Sequence, residues 1–229
     1  MKPRRKFNPD LLPERPNLDF EDPLWRQGIT WVAGVDEAGR GALAGPVAAG
    51  AVVLPPDQPE LMLKLSGVRD SKVMSAKERE IWAGEIKAAA LAWGVGMASS
   101  DEIDAVGIVP ATYLAVSRAL ADLAISPQHV LVDYLTLPEV ICPQTPLVKG
   151  DARSLSIAAA AILAKTARDA VLVELDQCFP GYSFAKNKGY GTAAHRQAIA
   201  AQGPCSQHRR TFSPVNAYDS FFPPQIEIK

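Results

Sequence analysis

Residues 30–54 read TWVAGVDEAGRGALAGPVAAGAVVL and contain two apolar runs separated by a glycine-rich turn. The first run, Thr30–Asp36, predicts a strand that ends in carboxylates, and the second run, Val47–Leu54, predicts another strand. The glycines between the runs, which are Gly39, Gly41 and Gly45, allow the chain to turn tightly. Two successive strands joined by this turn therefore begin the predicted sheet.

Further elements follow this pair of strands along the chain. Strands are predicted at Ala92–Ala98, His129–Tyr134 and Pro146–Lys149, and helices at Ser75–Leu91, Asp101–Val106, Pro110–Leu123, Ala152–Cys178 and Thr192–Gln202. Ser75 and Glu78 have capping-box spacing, and Thr192 and Gly203 match a helix cap and terminator. This order of elements has no strict strand–helix–strand repeat, so it predicts an α/β fold with a mixed sheet.

Composition excludes several classes of protein. Of the 229 residues, 48% are hydrophobic, which is enough for a packed core and argues against wholesale disorder. The three cysteines, Cys142, Cys178 and Cys205, have no CxxC spacing, which argues against a zinc ribbon or a disulfide framework. No apolar run approaches the roughly 20 residues that span a bilayer, and the first residues lack the apolar core of a signal peptide. We expect a soluble, cytoplasmic monomer.

The chain divides into four predicted regions. Residues 1–28 are rich in proline and charge and predict an N-terminal extension outside the domain, with regular structure beginning at Thr30. Residues 29–180 are the predicted main domain, and residues 181–218 a small C-terminal helical region. Residues 219–229 form a predicted loose tail.

Three apolar segments end in acid, at Asp36-Glu37, at Asp133 and at Asp151. A carboxylate at the end of a hydrophobic strand is costly unless positive charge compensates it, and hard oxygen ligands suit Mg²⁺ or Mn²⁺. Two such ions about 4 Å apart would activate water and stabilise the leaving oxygen in phosphodiester cleavage. The spacing alone leaves a second interpretation open, in which the acids occupy three unrelated turns.

The turn Gly39-Arg40-Gly41 places backbone N–H groups and a guanidinium beside the first pair of acids. Such a turn can bind a phosphate or a ribose through its main chain. Asp36 and Glu37 can share a metal site only where the strand ends or bends, because adjacent residues of a strand face opposite ways. We expect the glycines to provide that bend.

Positive charge is concentrated near the C-terminal end, although the formal net charge is −1. The stretch 177–218 contains no Asp or Glu, and its basic residues are Lys186, Lys188, His195, Arg196, His208, Arg209 and Arg210. Segregated positive charge of this kind provides phosphate contacts that give affinity without sequence choice. The segment therefore predicts a nucleic-acid contact surface.

Six blocks of the sequence, taken in order, resemble the ribonuclease HII family. They are GVDEAGRGALAGPVAAGAVVL (34–54), RDSKVMSAKERE (69–80), LVDYL (131–135), LVKGDARSLSIAAAAILAKTARD (147–169), FAKNKGYGTAAHR (184–196) and HRRTFSPV (208–215). The resemblance implies the ribonuclease H-like fold, with a mixed five-stranded sheet flanked by helices and a small C-terminal helical part. It also implies cleavage of RNA in RNA–DNA hybrids and on the 5′ side of single ribonucleotides embedded in duplex DNA, leaving 3′-hydroxyl and 5′-phosphate ends, with Mn²⁺ or Mg²⁺.

The same resemblance implies roles for individual residues. The four acids Asp36, Glu37, Asp133 and Asp151 would bind metal, and Gly39, Arg40, Gly41 and Tyr190 would sense the ribonucleotide at an RNA–DNA junction. The 2′-hydroxyl distinguishes RNA from DNA at one position, and a glycine main chain can reach it because no side chain intervenes. Further substrate contacts are expected from Lys72, Ser154, Lys165, Lys186, Lys188 and Arg209.

The sequence departs from the family at three positions. Ala161 stands where the family has Ser, Tyr134 where it has Gly, and Ala42 where it has Pro. None of these departures removes a predicted metal ligand, so activity is expected to be retained. Two alternatives remain, namely a nuclease or recombinase acting on plain DNA with the same fold, and a hybrid-binding protein without catalysis. The tail, with Phe221 and Phe222, is compatible with docking on a sliding clamp.

Overall fold

The computed structural model describes residues 12–218. Within them, five strands form one sheet with the order β3-β2-β1-β4-β5. The strands are β1 (Val32–Ala38), β2 (Val47–Val53), β3 (Ala92–Ala98), β4 (His129–Asp133) and β5 (Gln144–Leu147). The helices are α1 (Glu21–Trp25), α2 (Leu61–Lys64), α3 (Ala76–Ala89), α4 (Ser100–Val106), α5 (Ile108–Ala121), α6 (Leu155–Cys178), α7 (Phe184–Asn187) and α8 (Ala193–Gln202).

The sheet is mixed, as predicted. Strand β2 is antiparallel to β1 and to β3, while β4 is parallel to β1 and β5 is parallel to β4. The hairpin register places Asp36 opposite Gly50, and the parallel pair places Val35 opposite Val132. The C-terminal ends of β1 and β4 therefore lie side by side at one edge of the sheet, where predicted acids stand.

Helices cover both faces of the sheet. On one face, small residues of α5 pack with apolar residues of β1 and β2 in a fully buried cluster. On the other face, the alanine-rich first half of α6 lies directly against the strands. A Cβ at Gly34 would collide with the backbone of Ser156, and one at Gly50 with the carbonyl of Ala160. Glycine at these two positions therefore lets α6 approach the sheet at backbone distance.

Most of the predicted elements are confirmed. Strand β3 has the predicted bounds, and α3 begins at a capping box formed by Ser75 and Glu78. Thr192 caps α8, and Gly203, with a φ of 77°, ends it. The sequence pattern missed the short helices α2 and α7, which are too short to show a helical period.

Several predicted boundaries were wrong by a few residues, as for β5, predicted at Pro146–Lys149 and observed at Gln144–Leu147, and two of the differences bear on the site. Strand β1 does not end at Asp36, because its pairing with β2 continues to Ala38 opposite Ala48. Regular structure does not begin at Thr30 either, because α1 forms within the predicted extension. Asn17 forms a parallel bridge with Ser154, and Glu21 is fully buried. Burial of α1 against the domain thus gives order to a segment whose local composition suggested none.

No helix among residues 12–218 combines the length and the apolar character that crossing a bilayer requires.

Candidate active site

Three of the four predicted acids converge at the C-terminal ends of β1 and β4. Asp36 lies near the end of β1, Asp133 is the last residue of β4, and Asp151 lies in a 3-10 turn (Gly150–Ala152) just before α6. One carboxylate oxygen from each of these residues lies within 4.8 Å of the others. Acids separated by more than a hundred residues in sequence therefore share one pocket, and the interpretation of three unrelated turns is wrong.

Burial and mutual repulsion make this cluster unfavourable as a set of free carboxylates. Burial raises the pKa of Asp36 well above its usual value, and the charges of Glu37, Asp133 and Asp151 raise it further. Burial also raises the pKa of Asp133 to about 6, although the N–H of Gly150 donates a hydrogen bond of 2.7 Å to its Oδ1. Positive charge at this site would favour the ionised forms.

Lys72 supplies one such charge. Its ammonium donates a hydrogen bond of 3.0 Å to Oδ2 of Asp151, while most of the lysine side chain is exposed. Partial burial opposes the charge of Lys72, but the hydrogen bond and the charge of Asp151 raise its pKa above the ordinary value. Lys72 therefore lies at the mouth of the acid cluster, between Asp151 and solvent.

Glu37 does not join the three aspartates. Because β1 continues past Asp36, the side chains of Asp36 and Glu37 leave opposite faces of the strand. Arg40 Nη1 donates a hydrogen bond of 3.1 Å to Oε1 of Glu37. The charge of Glu37 nevertheless acts on the cluster, because it raises the pKa of both Asp36 and Asp133.

The Gly39-Arg40-Gly41 turn follows β1 beside this cluster. Gly39 has a φ of 88°, and a Cβ there would collide with the side chain of Arg168, so glycine is required on both counts. Gly41 is exposed, and a Cβ there would meet nothing within 4 Å. Gly39 thus fixes the shape of the turn, and Gly41 leaves its own main chain open to solvent.

Arg209 holds this turn from inside the protein and does not face a substrate. It is fully buried, and its guanidinium donates hydrogen bonds of 2.8 Å to the carbonyls of Gly39 and Arg40 and of 3.1 Å to that of Gly45. The predicted substrate contact is therefore corrected, because a side chain with no exposed surface cannot meet a phosphate.

Tyr190 lies on the loop between α7 and α8, with 36% of its surface exposed. Its ring faces two cations, with Lys165 Nζ 5.6 Å and Arg168 Cζ 5.4 Å from the ring centroid. Lys165 also forms an ion pair with Asp169, which in turn binds Arg79 at 2.9 Å. Lys165 therefore supports the Tyr190 ring with a side chain that is mostly buried, and its expected contact with substrate stays a prediction.

The C-terminal basic residues divide into an exposed and a buried group. Lys186 and Arg196 are exposed, and Lys188 is half-buried. His195 and His208 are fully buried, and burial lowers the pKa of both, to about 3 for His208. The two histidines are therefore neutral and do not add to the positive surface, contrary to prediction.

Ser154 also departs from its predicted place. It is fully buried, caps α6 through a hydrogen bond of 3.2 Å from the N–H of Ile157, and donates one of 2.6 Å to Oε1 of Glu21. The same oxygen of Glu21 accepts hydrogen bonds from the N–H and the hydroxyl of Ser156. Ser154 thus joins the N-terminal segment to the start of α6 and does not reach the surface.

Sequence reasoning missed two residues that position the site, Glu21 and Arg168. The guanidinium of Arg168 donates hydrogen bonds to the carbonyls of Ala44, Pro46 and Lys188, which ties the glycine turn to the loop of Tyr190. The sequence signal that could have identified Arg168 is its charge, which falls on the side of α6 that packs into the protein. Glu21 gave no signal, because its partners lie 133 and 135 residues away.

Comparison with known proteins agrees with this geometry. The family model described as Ribonuclease HII matches residues 33–215. The protein named Ribonuclease HII from Moorella thermoacetica is 53% identical over 84% of this chain and 91% of its own length. The protein of the same name from Syntrophotalea carbinolica is 51% identical over 88% of this chain and 94% of its own length. For that from Anaeromyxobacter the identity is 50%, and the match covers 92% of this chain but only 65% of the relative.

Solved structures show the same fold. The ribonuclease H2 of Pyrococcus horikoshii superposes with a TM-score of 0.66 at 25% identity, covering 83% of this chain and 98% of that protein. The ribonuclease HII in a PCNA complex from Archaeoglobus fulgidus superposes with a TM-score of 0.63 at 26% identity, covering 78% of this chain and 91% of that protein. Fold and acid cluster together define a hydrolase of the ribonuclease H class. Within that class, the chain belongs to the ribonuclease HII family.

Proposed function

We propose that this protein is an endoribonuclease that degrades the RNA strand of RNA–DNA hybrids and incises duplex DNA on the 5′ side of a single embedded ribonucleotide. The products would carry 3′-hydroxyl and 5′-phosphate ends, as ribonucleotide excision repair requires. The observation that carries the proposal is the convergence of Asp36, Asp133 and Asp151 beside the Gly39–Gly41 turn.

The acid cluster suits hard divalent cations. It offers only carboxylate oxygens, which are the ligands of Mg²⁺ and Mn²⁺, and the raised pKa values of Asp36 and Asp133 indicate that Lys72 alone does not compensate the buried acids. Asp36, Asp133 and Asp151 would hold the metal, and Glu37, whose charge acts on Asp36 and Asp133, would be the fourth acid at the site. Two bound divalent ions supply activation of the attacking water and stabilisation of the leaving oxygen.

The remaining residues bind and orient the nucleic acid. The exposed main chain at Gly41 would meet the 2′-hydroxyl, which both donates and accepts hydrogen bonds. The ring of Tyr190 would pack against the neighbouring sugar and favour a deoxyribose there. Basic residues would hold phosphates without reading sequence, and these are the exposed Lys72, Lys186 and Arg196 and the half-buried Lys188.

The regional assignments are part of the proposal. Residues 29–180 would carry the chemistry and residues 181–218 the substrate contacts, in a cytoplasmic monomer. The predicted clamp contact falls on the tail, residues 219–229, which lies outside the described residues. The Archaeoglobus fulgidus protein whose structure was solved with PCNA supports docking on a sliding clamp.

The proposal is tested with manganese and a DNA duplex that contains one ribonucleotide. The parent protein should incise on its 5′ side, and Asp36→Asn should not. Equally fast cutting of an all-DNA duplex would favour a DNA nuclease instead. Hybrid binding without incision, with no calorimetric signal for divalent ions, would favour a non-catalytic binder; where a signal exists, Asp133→Asn should abolish it.

A further inference from the structure

Two buried histidines connect the C-terminal segment to the loop that carries Tyr190. His195, in the first turn of α8, and His208, six residues after that helix ends, have 0% and 1% of their surface exposed. Their rings are packed against Tyr182 and Phe184, with centroid distances between 4.8 and 6.4 Å. They lie too deep to contact a nucleic acid, so any effect they have on the substrate must pass through other residues.

The hydrogen bonds of these rings allow one arrangement of protons. The N–H of Cys205 can only donate, so His208 Nδ1 accepts at 3.0 Å and His208 carries its proton on Nε2. That proton is donated to Nε2 of His195, 3.0 Å away. His195 must then carry its own proton on Nδ1, from which it donates to the carbonyl of Tyr190 at 2.9 Å.

Both rings remain neutral in this arrangement. Burial, followed by the neighbouring His195, lowers the pKa of His208 to about 3, and burial lowers the pKa of His195 as well. The thiol of Cys205, 3.2 Å from His208 Nδ1, stays protonated because burial raises its pKa to about 11. The hydrogen bonds from Cys205 to His208, from His208 to His195 and from His195 to Tyr190 therefore keep the same donors and acceptors near neutral pH.

The main chain of Tyr190 is fixed at both ends of the residue. Its N–H donates to the carbonyl of Asn187 at 3.0 Å, and its carbonyl accepts from the N–H of Thr192 at 2.8 Å and from His195. The tyrosine ring is partly exposed, so its position depends on how this main chain is held as well as on its contacts with Lys165 and Arg168. His195 supplies the one side-chain donor to that carbonyl among the described hydrogen bonds.

The other end of the histidine pair is fixed to the glycine turn. The segment of His208 pairs with the chain that follows the turn, through an isolated bridge between Ala44 and His208 and a bond of 2.8 Å from the N–H of Arg209 to the carbonyl of Leu43. The next side chain, Arg209, holds Gly39 and Arg40. A continuous set of contacts therefore joins the turn to Tyr190.

We propose that His195 and His208 are positioning residues that set the place of Tyr190 relative to the Gly39–Gly41 turn, and thereby govern selection of a single embedded ribonucleotide over a continuous RNA–DNA hybrid. The inference rests on the proposed function, since it assigns Tyr190 and the turn to the two sides of an RNA–DNA junction. A continuous hybrid presents no such junction, so its cleavage depends less on the distance between them.

The test compares two substitutions at His195. Asn places its amide nitrogen near the position of Nδ1 and can still donate to Tyr190, whereas Gln places its polar end near Nε2 and contacts only His208. kcat and KM are measured in manganese on a duplex with one ribonucleotide and on a continuous hybrid. For His195→Gln, we expect kcat on the single-ribonucleotide duplex to fall about tenfold or more and kcat on the hybrid to change less than about threefold.

The KM values provide a second readout. Because exposed basic residues bind the phosphates, the KM for either substrate should change little in His195→Gln. His195→Asn should recover most of the selectivity. A merely structural role would lower activity on both substrates together, and Asn would not rescue one of them.

Each outcome decides between the two proposals. A parent protein that fails to incise at a single ribonucleotide overturns the proposed function and the inference with it. A parent that incises, with a folded His195→Gln that keeps its selectivity, overturns the inference alone. If His195→Gln does not fold, His208→Gln, which keeps a donor for His195, is compared with His208→Leu, which lacks one; equal selectivity in that pair also overturns the inference.

Discussion

Arg209 Nη2 donates a hydrogen bond of 2.8 Å to the carbonyl of Gly39, although the two residues are 170 positions apart in the sequence. Two further bonds from the same guanidinium reach Arg40 and Gly45. A planar guanidinium reaches three carbonyls from three nitrogens in fixed directions, whereas the three donors of an ammonium all lie on one nitrogen. The C-terminal segment thus determines the shape of a turn that begins the domain.

Arg209→Met should destabilise the protein by about 3–5 kcal/mol, because it leaves the buried carbonyls of Gly39 and Gly45 and the part-buried carbonyl of Arg40 without their donor. Arg209→Lys should recover less than half of that loss, since its ammonium has no fork of donors. Urea unfolding followed by circular dichroism measures both. A lysine variant as stable as the parent would show that charge alone, and not the fork, holds the turn.

Asp36→Asn should stabilise the metal-free protein while abolishing activity. The substitution removes one of several mutually repelling buried charges, so the free energy of unfolding should rise by about 1 kcal/mol or more. Added Mn²⁺ should raise the melting temperature of the parent but not that of the variant. The matched control is Glu85→Gln on the exposed side of α3, which should behave as the parent does. An unchanged metal response in Asp36→Asn would contradict the assigned site.

Glu21 provides a test of the N-terminal segment. Glu21→Ala removes the acceptor of three buried hydrogen bonds and should cost about 2–4 kcal/mol, whereas Glu21→Gln keeps an acceptor oxygen and should cost less. Burial raises the pKa of Glu21, so its stabilising contribution is complete below about pH 4.5 and is lost as the pH rises. The free energy of unfolding of Glu21→Gln, measured with urea, should therefore rise relative to that of the parent between about pH 5 and 8. Glu14→Gln, at an exposed position, should show no such trend.

The buried histidines should make stability depend on pH in the opposite direction. The folded protein holds His208 neutral to about pH 3, while the unfolded chain takes up a proton near pH 6.5, so stability is lost as the pH falls below that value. Lowering the pH to about 5 should cost about 2 kcal/mol relative to about pH 8. His208→Gln should lose most of this dependence in urea unfolding. A variant with the parent's pH dependence would assign the effect to other groups.

Tyr134 occupies a conformation that favours glycine. Its φ is 61°, in the left-handed region, and its side chain is exposed. Tyr134→Gly should raise the free energy of unfolding by about 0.5–1 kcal/mol, because relief of the backbone strain exceeds the added entropy of the unfolded chain. Tyr134→Ala keeps the Cβ and should bring no gain. Thermal unfolding measures both, and equal stability of the Ala and Gly variants would rule out backbone strain as the cause.

The sequence predicted those features that depend on local pattern. Alternation and apolar runs located all five strands, and cap residues such as Ser75 and Thr192 located helix starts. It also located the aspartates, because each follows a strand or strand-like run. The relation between Asp36 and Glu37 was not predictable, since it depends on how far β1 pairs with β2.

The burial of charged residues was not predictable from local sequence either. His208, Arg209 and Arg210 form one basic run, yet the first two are buried and bonded to distant carbonyls or rings. Their partners, such as Gly39 and His195, are brought close only by the tertiary fold. The run of basic residues therefore predicted a surface for nucleic acid, whereas two of its members lie inside the protein and hold other segments in place.

The contact of α6 with the sheet at Gly34 and Gly50 has a consequence for the spacing of the aspartates. Elsewhere in a core, the gap between a helix and a sheet varies with the volume of the side chains between them. At these two points backbone meets backbone, so no side chain sets the gap. The separation between Asp36, on the strand, and Asp151, just ahead of the helix, is therefore set by this backbone contact and not by the volume of the larger core side chains.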